Sequence, residues 1–235
     1  MRILLTIFFL GFSWLANGQS TTLVISQVYG GGGGSTGTYL NDYVELHNVS
    51  STSQSLNGLS IVYGSATGQF ASTASNNFAL PNASIPAGGY YLVQLGATGT
   101  GGSAFPVSAD ASSPITGMSM SGTSGKIALV TAAFTNNSCG ATATQCTLPN
   151  AAIIDLVAYG TSSNAEGGAA VGALSVTTGA VRKNNGCQDT DNNNNDFEII
   201  TAPIPRNSSS TPITCGVATP GLTLGTINSF GSVTT

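Results

Sequence analysis

Short runs of apolar and β-branched residues recur along the chain from residue 21 onward, separated by clusters of Gly, Ser, Asn and Pro. This pattern predicts an all-β sandwich or barrel, and no long helical period interrupts it. The clearest predicted strands are Leu23–Tyr29, Asp42–Asn48, Leu59–Tyr63, Tyr90–Gln94, Lys126–Val130 and Ile153–Tyr159. Weaker strands are predicted at Gln54–Leu56, Ala180–Arg182 and Phe197–Ile199.

The predicted strand Asp42–Asn48 alternates apolar and polar residues, so Val44 and Leu46 share a core face while Glu45 and His47 share the other. Asp42 and Glu45 point to opposite faces, which argues against an acid–base pair. His47 is the one histidine of the chain. Because any Ser-His-Asp or Cys-His site would depend on it, we interpret it as a surface or hydrogen-bonded strand histidine. We therefore predict a protein that is not an enzyme.

Three glycine-rich or small-residue segments lie between the predicted strands. Gly30–Gly34 lacks the Gly-Lys-Ser/Thr that completes a phosphate loop, so it is interpreted as a flexible crossover. The segments Gly64–Ala83 and Gly96–Thr116 are unusually long for structureless connections. Since they carry almost no charge, we interpret them as passive excursions rather than as a binding site.

The first eighteen residues have the features of a secretory signal peptide. Arg2 precedes the apolar run Ile3–Leu15 and the small-residue ending Ala16-Asn17-Gly18, which predicts cleavage after Gly18. The apolar run is shorter than the roughly 20 residues that a membrane span needs. We expect a secreted, extracellular or cell-surface protein with no membrane insertion after cleavage.

All four cysteines lie in the exported part, and an even count in such a chain predicts disulfides. Three pairings are possible. We favour Cys139–Cys146, which closes a short excursion, and Cys187–Cys215, which ties the end of the domain back to its last loop. Zinc is the alternative, but it needs closely spaced cysteine pairs that this sequence does not offer.

Length and charge narrow the possible functions. The 235 residues suit one domain with short extensions. Charged residues make up only 6%, the formal net charge is -4, and Lys and Arg together number five. Nucleic-acid binding rests on clustered Lys and Arg, so a nucleic-acid partner is not expected. The 41% hydrophobic content argues against disorder.

The most polar stretch of the chain is Cys187–Phe197. Its carboxylates and amides at alternate positions are similar to oxygen-ligand loops for calcium, with Asp189, Asp191, Asn193 and Asp196 as the candidate ligands. The central Gly and the distal Glu of an EF-hand are absent. Asx residues also form tight turns by bonding their own backbone, and that interpretation stands beside calcium. No other cofactor is predicted.

Several segments, in order along the chain, resemble the bacterial lamin-tail domain family. They are Leu23–Gly32, Asn41–Asn48, Leu56–Ile61, Ile85–Val93, Lys126–Val130, Ile154–Gly160, Arg182-Lys183 with Cys187–Phe197, and Ala202–Asn207. The resemblance covers roughly residues 21–208. It implies an immunoglobulin-like β-sandwich with no established catalytic residues, exported alone or beside other modules.

The resemblance also suggests two functions. The first is a secreted, non-catalytic module for binding, adhesion or spacing, whose partner is an extracellular protein or glycan. The second is an accessory domain N-terminal to an extracellular endonuclease/exonuclease/phosphatase-type nuclease, although the catalytic histidines and metal-binding carboxylates of such a nuclease are missing here. Accordingly we divide the chain into a signal peptide (1–18), a lamin-tail-like domain (19–215), and a linker with the start of a possible truncated second module (216–235).

Overall fold

A computed structural model describes residues 20–114 and 117–216, and the predicted signal peptide and residues 217–235 lie outside these ranges. Most of the described chain is folded into strands. They are β1 (Leu23–Tyr29), β2 (Asp42–Asn48), β3 (Gln54–Ser55), β4 (Leu59–Ser65), β5 (Asn77–Ala79), β6 (Ser84–Ile85), β7 (Tyr90–Leu95), β8 (Ala111–Ser112), β9 (Gly125–Thr131), β10 (Ile153–Tyr159), β11 (Thr178–Arg182) and β12 (Phe197–Thr201). Single helical turns occur at Ala74–Asn76, Glu166–Gly168, Lys183–Gly186 and Asn193–Asp196.

The strands form two main sheets. The first has six strands in the order β12-β11-β1-β2-β7-β8, and the second has four in the order β10-β9-β4-β5, while β3 and β6 pair separately. All pairs within the two main sheets are antiparallel except the short β7–β8 pair. The fold is therefore a β-sandwich, as the sequence predicts.

The core lies between the facing sides of the two sheets. Val28 and Leu46 from the first sheet and Ile61, Leu129 and Val157 from the second are completely buried in one cluster. Burial of aliphatic side chains of this size contributes about 1.5–3 kcal/mol each, so this cluster is the main stabilising feature of the sandwich.

The outer faces of both sheets are also covered, which alternation alone does not predict. Phe105 of the segment after β7 packs its ring against Tyr39 and Tyr43 on the outer face of the first sheet. Phe70, from the segment after β4, belongs to a second cluster on the outer side of the other sheet. The two long excursions therefore act as covers for the sheets.

All seven residues of β2 are buried as a result. The expectation that His47 could be a surface residue is wrong, because its side chain is completely buried; the alternative expectation of a hydrogen-bonded histidine holds. Glu45 is equally buried. The covering segments are distant in sequence, so a local pattern cannot show that both faces of the strand are enclosed.

The first three glycines of the run are closely packed, whereas Gly33 and Gly34 are exposed. Gly30 and Gly31 are buried, and a Cβ atom at Gly32 would overlap the backbone of Asn41. These residues let two backbone segments approach closely, so the interpretation of a flexible crossover is corrected for residues 30–32. The strands β5, β6 and β8, which lie within segments predicted as loops or turns, were also missed.

None of the helical segments in the described part of the chain is long and apolar enough to cross a membrane. Both disulfides have the favoured pairing, Cys139 with Cys146 and Cys187 with Cys215.

Candidate functional site

The connection between β11 and β12 carries the four predicted calcium ligands and folds onto the buried Arg182. The turn begins with Asn184 and Asn185 in the left-handed conformation (φ 53° and 57°), which asparagine tolerates better than most residues. Gly186 follows at φ 95°, and a Cβ atom there would lie 2.8 Å from Nδ1 of His47, so only glycine fits. This tight turn directs residues 187–196 back toward the sheet, and we call these residues the Asp/Asn segment.

Arg182 is the centre of a buried ionic cluster. Its side chain is completely enclosed, and its guanidinium lies 2.7 Å from the carboxylate of Asp155, 3.0 Å from that of Asp189 and 4.0 Å from that of Asp196. Arg182 also donates to the carbonyl oxygens of Ile25 and Gln188. The arginine thereby joins β10, β11 and the Asp/Asn segment.

The predicted calcium ligands are engaged in contacts with the protein itself. The Asp196 carboxylate accepts from the N–H and hydroxyl of Thr190 at 2.9 and 2.8 Å and from the N–H of Asn192 at 3.2 Å. The Asn193 amide spans two backbone groups of β10, the N–H of Ala158 and the carbonyl of Leu156. These contacts are those of an Asx-stabilised turn.

Ligand atoms of three or more His, Cys, Asp or Glu side chains converge at one place within residues 20–114 and 117–216. The group is His47, Cys187 and Cys215, whose cysteines are joined to one another in a disulfide. The contacts of Asp189, Asn193 and Asp196 favour the turn-forming interpretation, and calcium binding stays an untested alternative. Asp191 lies in the same turn with φ 53°.

The Arg182 cluster holds more carboxylates than the arginine can neutralise. Glu166 is almost completely buried beside it and accepts from the Leu156 N–H and the Asn193 amide. Burial, and to a smaller extent the negative charge of the neighbouring Asp155 carboxylate, raises the pKa of Glu166 to about 9. The same two causes raise the pKa of Asp189 to about 6, against the opposing effect of Arg182. At neutral pH the Glu166 carboxyl is therefore protonated.

A second buried ion pair lies on the outer face of the first sheet. Arg206 Nη2 is 2.7 Å from Glu45 Oε1, and the Arg206 backbone N–H donates to Oε2 of the same carboxylate. Ser26 and Gln27 also donate to Glu45. Burial raises the pKa of Glu45, and the positive charge of Arg206 opposes that rise.

His47 lies beside this ion pair and holds the last described segment. Its ring stacks on Tyr90 with centroids 4.4 Å apart, and Tyr90 in turn lies under the Arg206 guanidinium at 3.9 Å. Nε2 is 3.0 Å from the carbonyl oxygen of Ile213, and Nδ1 is 3.3 Å from that of Gly186. Burial lowers the pKa of His47. Its partners are carbonyl groups, so it anchors the chain rather than serving a nucleophile.

An open groove of about 550 Å³ borders the Glu45–Arg206 pair, and we call it the outer groove. The segment after β12 turns back across the outer face of β1, where Gln27 donates to the Ile204 carbonyl, and this segment forms one wall. Val181 and Ile200 also line the groove. The Ile204 side chain is 70% exposed, the highest value among the large apolar side chains of the described residues that are exposed. The lining includes Gln27, Val181, Asn185, Glu198, Ile200, Pro203, Ile204 and Arg206.

The outer groove offers a mixed surface. Pro203 and Ile204 supply apolar area, whereas Asn185 and Glu198 supply polar groups. The Arg206 guanidinium is occupied by Glu45, the Tyr90 hydroxyl and the Asn185 carbonyl, so it positions the wall of the groove. Such a surface suits binding, and it presents no nucleophile paired with a base.

Sequence reasoning found neither Arg182 nor Arg206 as a central residue. Each pairs with a carboxylate that is far away in sequence, Asp155 for Arg182 and Glu45 for Arg206. One available signal is the scarcity of basic residues. With five Lys and Arg in 235 residues, a basic residue next to a β-type run is a candidate partner for a strand carboxylate.

The two covered sheets and the few helical turns define an immunoglobulin-like β-sandwich. The lamin tail domain family model matches residues 16–161, more than half of the sequence. The chain belongs to the lamin tail domain family. The match ends soon after β10. The connection between β11 and β12, the second disulfide and the wall of the outer groove therefore lie beyond the matched region.

Among solved structures, the chain is similar to the crystal structure of a DUF4876 family protein from Bacteroides thetaiotaomicron VPI-5482. The two share 14% sequence identity with a TM-score of 0.52, and the similarity covers 83% of this chain and 75% of that one. At this identity the likeness concerns the fold alone. No curated protein matches this sequence.

Proposed function

We propose that this chain is a secreted, non-catalytic β-sandwich module that binds an extracellular protein or glycan at the cell surface. The observation that carries the proposal is the outer groove, where an exposed apolar side chain, Ile204, is held on a wall fixed by a buried ion pair. Concave, mostly apolar surfaces with a few polar groups are typical of binding sites. Family membership is consistent with a module that does no chemistry of its own.

Secretion is part of the same proposal. Two disulfides are expected in a protein that folds in an oxidising compartment, and the apolar N-terminal run of the sequence has signal-peptide features. Mass spectrometry of the protein recovered from culture medium should find the mature N-terminus at or near Gln19. Retention of the full-length chain in the cytoplasm would contradict secretion.

Binding is tested with fluorescently labelled mature protein and purified envelopes of the cells that make it. A groove variant, Val181→Arg with Ile204→Glu, should bind at least about tenfold more weakly than the wild type, a loss near 1.4 kcal/mol. The matched control is Val176→Lys, because Val176 is also an exposed apolar residue but lies against Gly122 outside the outer groove. Equal binding by the groove variant, or no binding by the wild type, would overturn the proposal.

The proposal that the module has no catalytic activity is tested separately. Purified mature protein should leave DNA, phosphoesters and polysaccharide unchanged in the presence of divalent metal ions, and turnover above that of a mock purification would overturn it. The alternative of a nuclease accessory domain is decided at the gene: a reading frame that continues past Thr235 into a nuclease domain would support that alternative.

A further inference from the structure

The end strand of the six-stranded sheet, β12, has an unpaired edge within the described part of the chain. It pairs with β11 on one side, and no described strand pairs with its other side. Unpaired edges present backbone donors and acceptors that another extended strand can bond.

The register identifies which backbone groups point outward. Thr178 and Thr201 are partners in the ladder, so the next pair is Thr177 with Ala202. The N–H of Ala202 donates to the carbonyl of Thr177 at 2.9 Å, so the Thr177–Ala202 pair is of the hydrogen-bonded type. Hydrogen-bonded and non-hydrogen-bonded pairs alternate along an antiparallel ladder. Ile200 and Glu198 therefore bond to β11, whereas Phe197, Ile199 and Thr201 direct their N–H and C=O groups toward the open edge.

One further contact agrees with this assignment. The N–H of Phe197 donates to the Asn193 carbonyl in the preceding turn, so it is not used by β11. The Ile199 side chain, in the middle of the strand, is 43% exposed although isoleucine is normally buried. The open edge thus combines unpaired backbone groups with an exposed apolar side chain.

We propose that β12 pairs antiparallel with β12 of a second copy of this chain, about a two-fold axis at Ile199. In that register Ile199 of each copy bonds Ile199 of the other, and the N–H of each Thr201 donates to the carbonyl of Phe197 opposite. The outward groups of the strand are thus self-complementary, as an isologous interface requires. The occupied N–H of Phe197 is not needed for these bonds.

The position of Glu198 favours the register centred on Ile199 over the register that is shifted by one residue. Pairing centred on Ile199 places each Glu198 opposite an Ile200, whereas a shift to the axis at Glu198 would place two carboxylates directly opposite one another. Like charges in that position are destabilising. The interface is short, because Pro203 has no N–H and stops the ladder beyond Thr201. It therefore belongs with small interfaces that associate weakly.

The test measures self-association of the mature protein by analytical ultracentrifugation at concentrations from about 1 µM to about 1 mM, the range of weak interfaces. The wild type should change from monomer to dimer as its concentration rises. Ile199→Lys places a charge at the axis, and Thr201→Pro removes an outward N–H without removing a bond to β11. Each should raise the dimer dissociation constant at least about tenfold.

Val176→Lys is the matched control, because it also replaces a β-branched apolar residue with lysine, at a position of nearly equal exposure, 40%, away from the open edge. It should dimerise like the wild type. Melting curves of the three variants establish that each is folded. The proposal is overturned if the wild type stays monomeric throughout, or if it dimerises and neither Ile199→Lys nor Thr201→Pro weakens the dimer.

Discussion

Glu45 and Arg206 form a buried ion pair, with 2.7 Å between their nearest atoms, although they are 161 positions apart in the chain. Glu45 lies in β2, inside the region matched to the lamin tail domain family, and Arg206 lies in the closing segment beyond that region. The Glu45 carboxylate is completely buried, and the Arg206 side chain is 20% exposed. This pair connects the family core to the wall of the outer groove.

Removing one member of this pair should destabilise the protein strongly. Arg206→Met leaves a buried carboxylate without its positive partner, and the expected loss in the free energy of unfolding is about 3–5 kcal/mol. The double variant Glu45→Gln with Arg206→Met should recover a large part of the loss, because no charge is then left unpaired. Urea unfolding of the wild type, both single variants and the double variant measures the coupling. Strictly additive losses would contradict it.

The two disulfides should contribute unequally to stability. Cys139 and Cys146 are separated by 7 residues and Cys187 and Cys215 by 28, so the second closes the longer loop. Loop-closure entropy predicts about 2.5 and about 3.6 kcal/mol respectively. Paired Cys→Ser variants, compared by urea unfolding, should show the larger loss for the Cys187–Cys215 pair. The opposite order would contradict the entropic argument. Alkylation of the wild type without reductant should add no mass.

The sequence predicts the strands that form the centre of the sandwich because their apolar residues are consecutive or alternate. Leu23–Tyr29, Asp42–Asn48 and Ile153–Tyr159 coincide with β1, β2 and β10. Short edge elements such as β5 and β8 were missed, since two or three residues carry no period. Their pairing depends on strands already in place, which is tertiary information.

The polar sites were harder to predict for a related reason. Asp189 and Asp196 share a short segment, so local spacing suggested a common ligand, calcium. In the structure Asp189 pairs with Arg182 on the preceding strand. The buried state of Glu45 likewise depends on Arg206, whose position follows only from the complete chain path. Spacing shows which groups can meet locally, but a distant partner decides what they do.

Calcium binding by the Asp/Asn segment can be tested by melting. Because the Asp196 oxygens already accept three hydrogen bonds, we expect about 5 mM calcium to leave the melting temperature unchanged within about 1 °C, compared with chelator. A larger rise that disappears in Asp189→Asn would instead establish calcium as a ligand of this segment. Magnesium at the same concentration serves as the control for ionic effects.

The pH dependence of stability should reveal the buried Glu166. Its pKa is raised from 4.5 to about 9 in the folded state, so between these values the folded protein holds a proton that the unfolded chain has lost. The free energy of unfolding should therefore fall as pH rises, by about 1.4 kcal/mol per pH unit for one such group.

Other buried groups also titrate near neutral pH, because the folded-state pKa of Asp42 and of Asp189 is raised to about 6, that of Glu45 is raised, and burial lowers the pKa of His47 and lowers that of Lys126 to about 8. The contribution of Glu166 is therefore the difference in slope between the wild type and Glu166→Gln from about pH 6.5 to 8. Glu166→Gln keeps the hydrogen-bonding shape but removes the titrating proton, so it should flatten the slope in this interval. Glu198→Gln, at an exposed position on β12, should keep the wild-type slope. Urea unfolding at several pH values measures both. A wild-type slope that survives in Glu166→Gln would show that another group causes it.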